Sequence, residues 1–263
     1  MSNMEFREVN VHLGSGSRRF HAVKNVSLVI PSGSVVGLVG ESGSGKSTLA
    51  RAAVGLAEPS SGSILLDGVD VAHARGANAL LRHRIQMVFQ DPYSCLDPRM
   101  TIGQSLAEAL RATERRDRAR RGRGERAAEV ARLLTTVSLP PEKAHDYPAS
   151  LSGGQRQRVA LARALAAAPS VLLADEITSA LDVSVQGSVL NLLMDLQRQL
   201  GLTVLFVSHN LAVIRYVCDH VAVMFGGEIV EHGPVLDVID SPREEYTATL
   251  LSAVPQLGEP MFR

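Results

Sequence analysis

The chain has 263 residues, enough for one large domain or two small ones, and its 45% hydrophobic and 21% charged residues fit a globular protein with a sizeable core. Lys+Arg 27 cancels Asp+Glu 27, which argues against a strongly electrostatic nucleic-acid binder, so no nucleic-acid partner is expected. No stretch approaches the roughly 18 apolar residues of a membrane span, and any membrane role would need partner chains.

The N-terminus Met1-Ser2-Asn3-Met4-Glu5 has neither a basic nor an apolar region, so no signal peptide is expected. Phe6 to Leu13 and Ala22 to Ile30 read as strands, and Pro31-Ser32-Gly33 as the turn into a third strand, Val35 to Val39. Then comes Gly40-Glu41-Ser42-Gly43-Ser44-Gly45-Lys46-Ser47-Thr48, followed by a helical stretch from Leu49 to Leu56. That is the pattern G-x-x-x-x-G-K-S/T between a strand and a helix, the context of a phosphate-binding loop. The glycines permit backbone angles and close approach that a Cβ forbids. Successive N–H groups then form an anion nest at a helix N-terminus. Lys46 would reach the β- and γ-phosphates of ATP, and the Ser47 hydroxyl would ligate Mg²⁺.

Further on, Ser63 to Leu66 reads as a strand closed by the Asp67-Gly68 turn, and Ile85 to Phe89 as an apolar strand ending at Gln90. Ile102 to Arg111 and Ala127 to Val137 have helical spacing. The Arg-rich run Arg115 to Gly124 between them admits an anionic-lipid or nucleic-acid contact. Partial neutralisation by Glu114, Asp117 and Glu125 and the neutral net charge favour a solvated face. Residues from about 91 to 154 are thus expected to form a mostly helical insertion in an α/β domain. Alternation resumes with a helix Gly154 to Ala167, a strand Val171 to Ala174, a helix Val185 to Leu200 and a strand Thr203 to Val207. A helix after His209 and a strand Val221 to Phe225 follow. Repeated strand–helix units imply a parallel sheet covered by helices. Cys95 and Cys218 are far apart with no metal-ligand spacing, as expected of a reduced cytosolic setting.

The strand Val171 to Ala174 ends in Asp175-Glu176, whose side chains point to opposite faces and can serve different roles. Asp175 fits the acid that holds Mg²⁺ behind a phosphate loop, and Glu176 a general base for the attacking water. Just upstream stands Leu151-Ser152-Gly153-Gly154-Gln155, a hydroxyl and two glycines at a helix start, a second place suited to an anion.

With that string the sequence resembles the ATP-binding cassette (ABC) family, whose signature is LSGGQ. The resemblance covers essentially the whole chain and implies an antiparallel β edge and a helical subdomain around the ATP-core sheet, in one nucleotide-binding domain over 1–263. It implies that Ser152, Gly153, Gly154 and Gln155 cap the γ-phosphate of ATP on an opposite subunit. Gln90 matches the Q-loop glutamine, which contacts Mg²⁺ and the lytic water. Ser179-Ala180-Leu181-Asp182 matches the D-loop along the dimer interface, and His209 the switch histidine at the γ-phosphate. Gln86 to Ser94, Leu96 to Gly103, Ser179 to Gln186 and Tyr246 to Pro255 look like the ATPases of dipeptide, oligopeptide and nickel importers, of the second-ATPase type. The resemblance therefore implies a second ABC ATPase, two transmembrane permease subunits and an extracytoplasmic solute-binding protein. It places the chain peripherally on the cytoplasmic face of the inner membrane. The alternatives are a soluble ABC ATPase without a permease and a non-hydrolysing structural subunit. Tandem cassettes, a coiled-coil insertion or zinc-site cysteines would mark the first. Lys46, Asp175, Glu176 and His209 argue against the second.

Three departures from the family stand out. Ile177 replaces the usual Pro after the catalytic Glu, which would loosen the entry to the D-loop. The position near Leu13 that usually carries the adenine-stacking aromatic is aliphatic, which makes Phe20 the candidate for that contact. The chain stops at Met261-Phe262-Arg263, where relatives carry a cysteine-containing extension, so no metal or cluster site is expected there.

Overall fold

The computed structural model describes residues 2–14, 16, 19–74, 76–91, 95–116 and 121–252. Pro92 to Ser94, Asp117 to Arg120 and the C-terminal motif beyond Ser252 lie outside the described residues.

Strand β3 (Val35–Val39) is the middle of the molecule. It pairs in parallel with β8 (Thr203–Val207) on one side and β9 (His220–Phe225) on the other. Next to β8 lie β7 (Val171–Asp175) and β6 (Ile85–Val88), both parallel, and β10 (Glu228–Pro234) closes the far edge antiparallel to β9. Every residue of β3, β7 and β8 is buried, as expected of parallel strands covered on both faces.

The alternation of side chains divides the core in two. Val35, Val39, Leu172, Ala174, Val204 and Phe206 pack with the helices on one face. Val36, Leu38, Val171, Leu173, Leu205 and Val207 pack with helix α1 (Lys46–Ala53) and the N-terminal strands on the other. On the first face Gly37 lets helix α6 (Leu211–Val217) lie close, since a Cβ there would stand 2.8 Å from Ile214 Cδ1.

The antiparallel strands expected at the N-terminus form a sheet of their own, ordered β2 (Phe20–Ile30), β1 (Met4–Leu13), β4 (Ser61–Leu66), β5 (Val69–Asp70). Between the two sheets, Lys24 N–H donates to Gly227 O at 2.8 Å. Both long strands begin earlier than the sequence pattern suggests. The β1–β2 ladder shifts register three times, and each shift interrupts the two-residue alternation that marks a strand.

Between β6 and β7 lie helices α2 (Ile102–Arg116) and α3 (Arg123–Thr136), two short 3₁₀ turns (Pro141–His145, Pro148–Ser150) and α4 (Gly153–Leu165). This is the helical subdomain. Glu114, buried near the end of α2, takes the Arg126 guanidinium of α3 at 2.7 Å and faces Arg121 at 3.8 Å. Glu125 instead accepts the Gly122 N–H at 2.7 Å and so caps α3. Helix α5 (Val183–Leu200) follows β7. Helices α7 (Val235–Asp240) and α8 (Glu245–Ser252) complete the described chain. Among the described residues no helix is long and apolar enough to cross a membrane.

Candidate active site

The carboxyl ends of β3, β7 and β8 converge, which is where parallel α/β sheets bind ligands. The ladder continues one step past each strand: Glu176 N–H donates to Val207 O at 3.0 Å and Ser208 N–H to Leu38 O at 3.1 Å. Those two bonds bring the phosphate loop, Asp175-Glu176 and Ser208-His209 together.

The loop from Gly40 to Thr48 is shaped by contacts only glycine permits. Gly40 (φ 150°) and Gly45 (φ 106°) would place a Cβ 2.1 Å from Met224 O and 2.4 Å from Ala22 O. Gly45 is also the N-cap of α1 and offers no side chain to it, so the first N–H groups of the helix face the loop. The Lys46 ammonium donates to Gly40 O and Glu41 O, both at 2.7 Å, and to Ser44 Oγ at 3.3 Å. Burial pushes its pKa below the ordinary lysine value, against the pull of the Glu176, Asp175 and Glu41 carboxylates. Ser47 Oγ donates to Asp175 Oδ1 at 3.0 Å. Burial holds the Asp175 carboxyl above its usual range; the Ser47 hydrogen bond opposes this and the Glu176 charge adds to it.

Glu176 adopts φ 49°, a left-handed conformation uncommon for a residue with a side chain. Both its carboxylate oxygens are engaged. Gln90 Nε2 donates to Oε2 at 3.0 Å, and His209 Nδ1 stands 3.3 Å from Oε1. Gln90 Nε2 also donates to Ser179 Oγ at 3.2 Å. Around Glu176 and His209 a cavity of about 100 Å³ is lined further by Thr178, Ser179, Gln186 and Ser208.

The entry to the next helix is tighter than expected from Ile177. That side chain is buried in the core, and the Ser179 N–H and hydroxyl both donate to Glu176 O, at 3.1 and 2.9 Å. An apolar anchor and a closed turn here replace the rigidity that proline would bring. Asp182 is exposed at the N-cap of α5 and makes no side-chain capping bond to it.

Ser152 to Gln155 lie at the start of α4, in the helical subdomain. Gln155 N–H donates to Ser152 Oγ at 3.3 Å and Ser152 N–H to Gln155 Oε1 at 3.0 Å, a reciprocal capping box. These side chains are engaged with each other rather than with the phosphate loop. A Cβ at Gly154 would stand 2.3 Å from Val185 Cγ1, so this glycine sets the approach of α4 to α5.

Phe20 is 59% exposed and pairs directly with Leu13, also exposed, across the β1–β2 ladder. Two apolar side chains thus stand side by side on one face. They lie at the end of β2 that runs on to Ala22, whose carbonyl touches the phosphate loop.

One residue of this neighbourhood escaped the sequence reading. Tyr246 of α8 accepts the Glu41 N–H at 3.1 Å, across 205 positions of sequence, and its ring packs on Phe225 at 4.2 Å between centroids. Its only mark in the sequence is its place in the importer-like C-terminal motif.

A family model described as "ABC transporter" matches residues 23–179, more than half of the chain. The glutathione import ATP-binding protein GsiA of Salmonella typhimurium is 49% identical over 242 residues, covering 91% of this chain and 38% of its own length. A candidate peptide import ATP-binding protein of Brucella abortus is 46% identical over 253 residues, covering 96% and 78%. The chain thus spans well under half of the glutathione-import relatives. Among solved structures, a dimeric post-hydrolysis state of the ATP-binding cassette MJ0796 bound to ADP and Pi aligns with TM-score 0.78 and 31% identity, over 88% of this chain and 98% of that one. CbiO1 of Clostridium perfringens, part of the ABC transporter complex CbiONQ, aligns with TM-score 0.78 and 29% identity, over 90% of each chain.

Proposed function

The chain belongs to the ABC transporter family, and from that premise we propose that it is the ATP-hydrolysing subunit of an importer for peptides or a related small solute. The observation that carries this is the convergence of Lys46, the Ser47–Asp175 pair and the Gln90–Glu176–His209 cluster at one end of the sheet. The names of the glutathione- and peptide-import relatives support the transport reading. Residues 1–263 act as a single nucleotide-binding domain, with the helical subdomain over about 91–154.

ATP is the substrate. Its phosphates enter the nest of N–H groups from Gly40 to Thr48, and Lys46 exchanges the carbonyls of Gly40 and Glu41 for phosphate oxygens. Phe20, beside Leu13, offers the adenine an apolar surface. The donors fit Mg²⁺: a Ser47 hydroxyl, an Asp175 carboxylate and the Gln90 amide oxygen are the hard oxygens this cation prefers. When bound there, Mg²⁺ neutralises phosphate charge. Glu176 takes the proton of the attacking water as general base. His209 holds Glu176 from one side and reaches the γ-phosphate, while Gln90 holds it from the other. Phosphoryl transfer needs mainly positioning and charge stabilisation, and these groups supply both.

Ser152 to Gln155 complete the site of a second ATPase subunit rather than their own, with Asp182 beside them at the interface. The dimeric state of the MJ0796 cassette supports the pairing of two such subunits. The proposed assembly holds two ATPases, two permease subunits and an extracytoplasmic binding protein, with this chain on the cytoplasmic face of the membrane. Copurification from solubilised membranes with two permease subunits, and an ATPase rate that rises when the assembly is restored, is the expected result. Full-rate hydrolysis by the chain alone, with no membrane protein copurifying, would favour a soluble ABC ATPase.

A further inference from the structure

The phosphate loop is braced from outside by the C-terminal part of the chain. At the end of β9 the Met224 carbonyl lies against Gly40 so closely that a Cβ would stand 2.1 Å away. In the turn that follows, Gly227 N–H donates to Ser44 O at 3.1 Å. On β10 the Glu231 carboxylate accepts the N–H groups of Arg243, at 2.9 Å, and Glu244, at 3.3 Å, which fixes the chain just before α8. Tyr246 is the second residue of α8. Its ring packs on Phe225 and its hydroxyl reaches the Glu41 N–H.

Glu41 is therefore gripped through both its backbone groups. Its N–H is held by Tyr246, and its carbonyl holds Lys46. To engage a phosphate, the ammonium must give up Glu41 O and Gly40 O, and the Gly40–Ser42 turn then keeps, inside the loop, the Ser44 N–H bond to Glu41 O at 3.2 Å. The bond to Tyr246 does not involve the ammonium and remains. We propose that Tyr246 is a positioning residue for nucleotide: its hydroxyl keeps this turn in its anion-accepting shape while Lys46 changes partners. It acts through the Glu41 peptide and touches no phosphate. The inference rests on the reading that the loop binds ATP.

Tyr246→Phe isolates the hydroxyl because it keeps the ring on Phe225, whereas Tyr246→Ala removes both. Full-length wild type and both variants are titrated with a fluorescent ATP analogue in Mg²⁺, and each is melted without nucleotide. Tyr246→Phe should keep the wild-type Tm and bind the analogue about two- to tenfold more weakly, the range one neutral hydrogen bond covers. In steady-state hydrolysis its KM should rise by the same factor with kcat near wild type. Tyr246→Ala should add a fall in Tm. Wild-type affinity in Tyr246→Phe would reduce Tyr246 to a prop for α8 and overturn the inference alone. So would a fall in kcat at unchanged KM. A wild-type chain that fails to bind the analogue would overturn both the inference and the ATPase reading beneath it.

Discussion

Helices α1 and α4 both begin at a glycine-containing turn, yet only the second has a side-chain cap. The N-cap of α1 is Gly45, which contributes no side chain and no capping bond. The N-cap of α4 is Ser152, whose hydroxyl and N–H are both satisfied by Gln155. The first end is left to be completed by an anion. The second carries a cap of its own residues, with Ser152 exposed and Gly154 packed against Val185 of α5. The contrast indicates a division of labour. In the proposed function the α1 end, with Asp175, Glu176, Gln90 and His209 around it, is a chemical centre within one chain. In the same proposal the α4 end is a preformed surface that caps a phosphate brought to it by another chain.

The largest effect should come from the α1 side. Glu176→Gln removes the proposed general base but keeps an oxygen for the Gln90 amide, so ATP binding should survive while turnover falls by about a hundredfold or more. An ATP-bound closed complex should accumulate, visible by size-exclusion chromatography. Near-normal hydrolysis would place the base elsewhere and break the comparison at its root. A smaller effect is expected at α4. Gly154→Ala puts a methyl against Val185, a β-branched side chain with little freedom to yield. Overpacking of this kind costs about 1–3 kcal/mol. That corresponds to a Tm lower by about 2–4 °C per kcal/mol in a chain of this size. An unchanged Tm would mean that α4 is not seated as tightly on α5 as the packing of Gly154 implies.

Much of the α1 centre was legible because its chemistry is local. Three glycines, Lys46 and the Ser47 hydroxyl within nine residues describe the loop, and Asp175-Glu176 at the end of an all-apolar run describes the acids. The parallel strands were legible for the same reason, being mostly apolar runs. Less was legible at the C-terminal end. Strand β10 is partly exposed along its length and carries Gly233-Pro234, so neither burial pattern nor composition marks it as a strand. Helices α7 and α8 have only six and eight residues, too short for a clear helical period. The burial of Ile177 and the Ser179 bonds to Glu176 O were not legible, because burial depends on the tertiary fold. The Tyr246–Glu41 bond joins positions 205 apart and has no local signature.

The central claim, that the α4 end serves another chain's ATP, is tested most directly by placing Ser152→Arg in this subunit alone within an assembly of two ATPases and the permease. The substitution sets a bulky cation where the proposed assembly docks the partner's γ-phosphate. Nucleotide occupancy and hydrolysis are then measured separately at the two phosphate loops. Hydrolysis at the partner's loop should be lost while ATP remains bound at this chain's own Lys46 site. Loss confined to this chain's own site would show that its signature serves itself, and the division of labour between α1 and α4 would be contradicted.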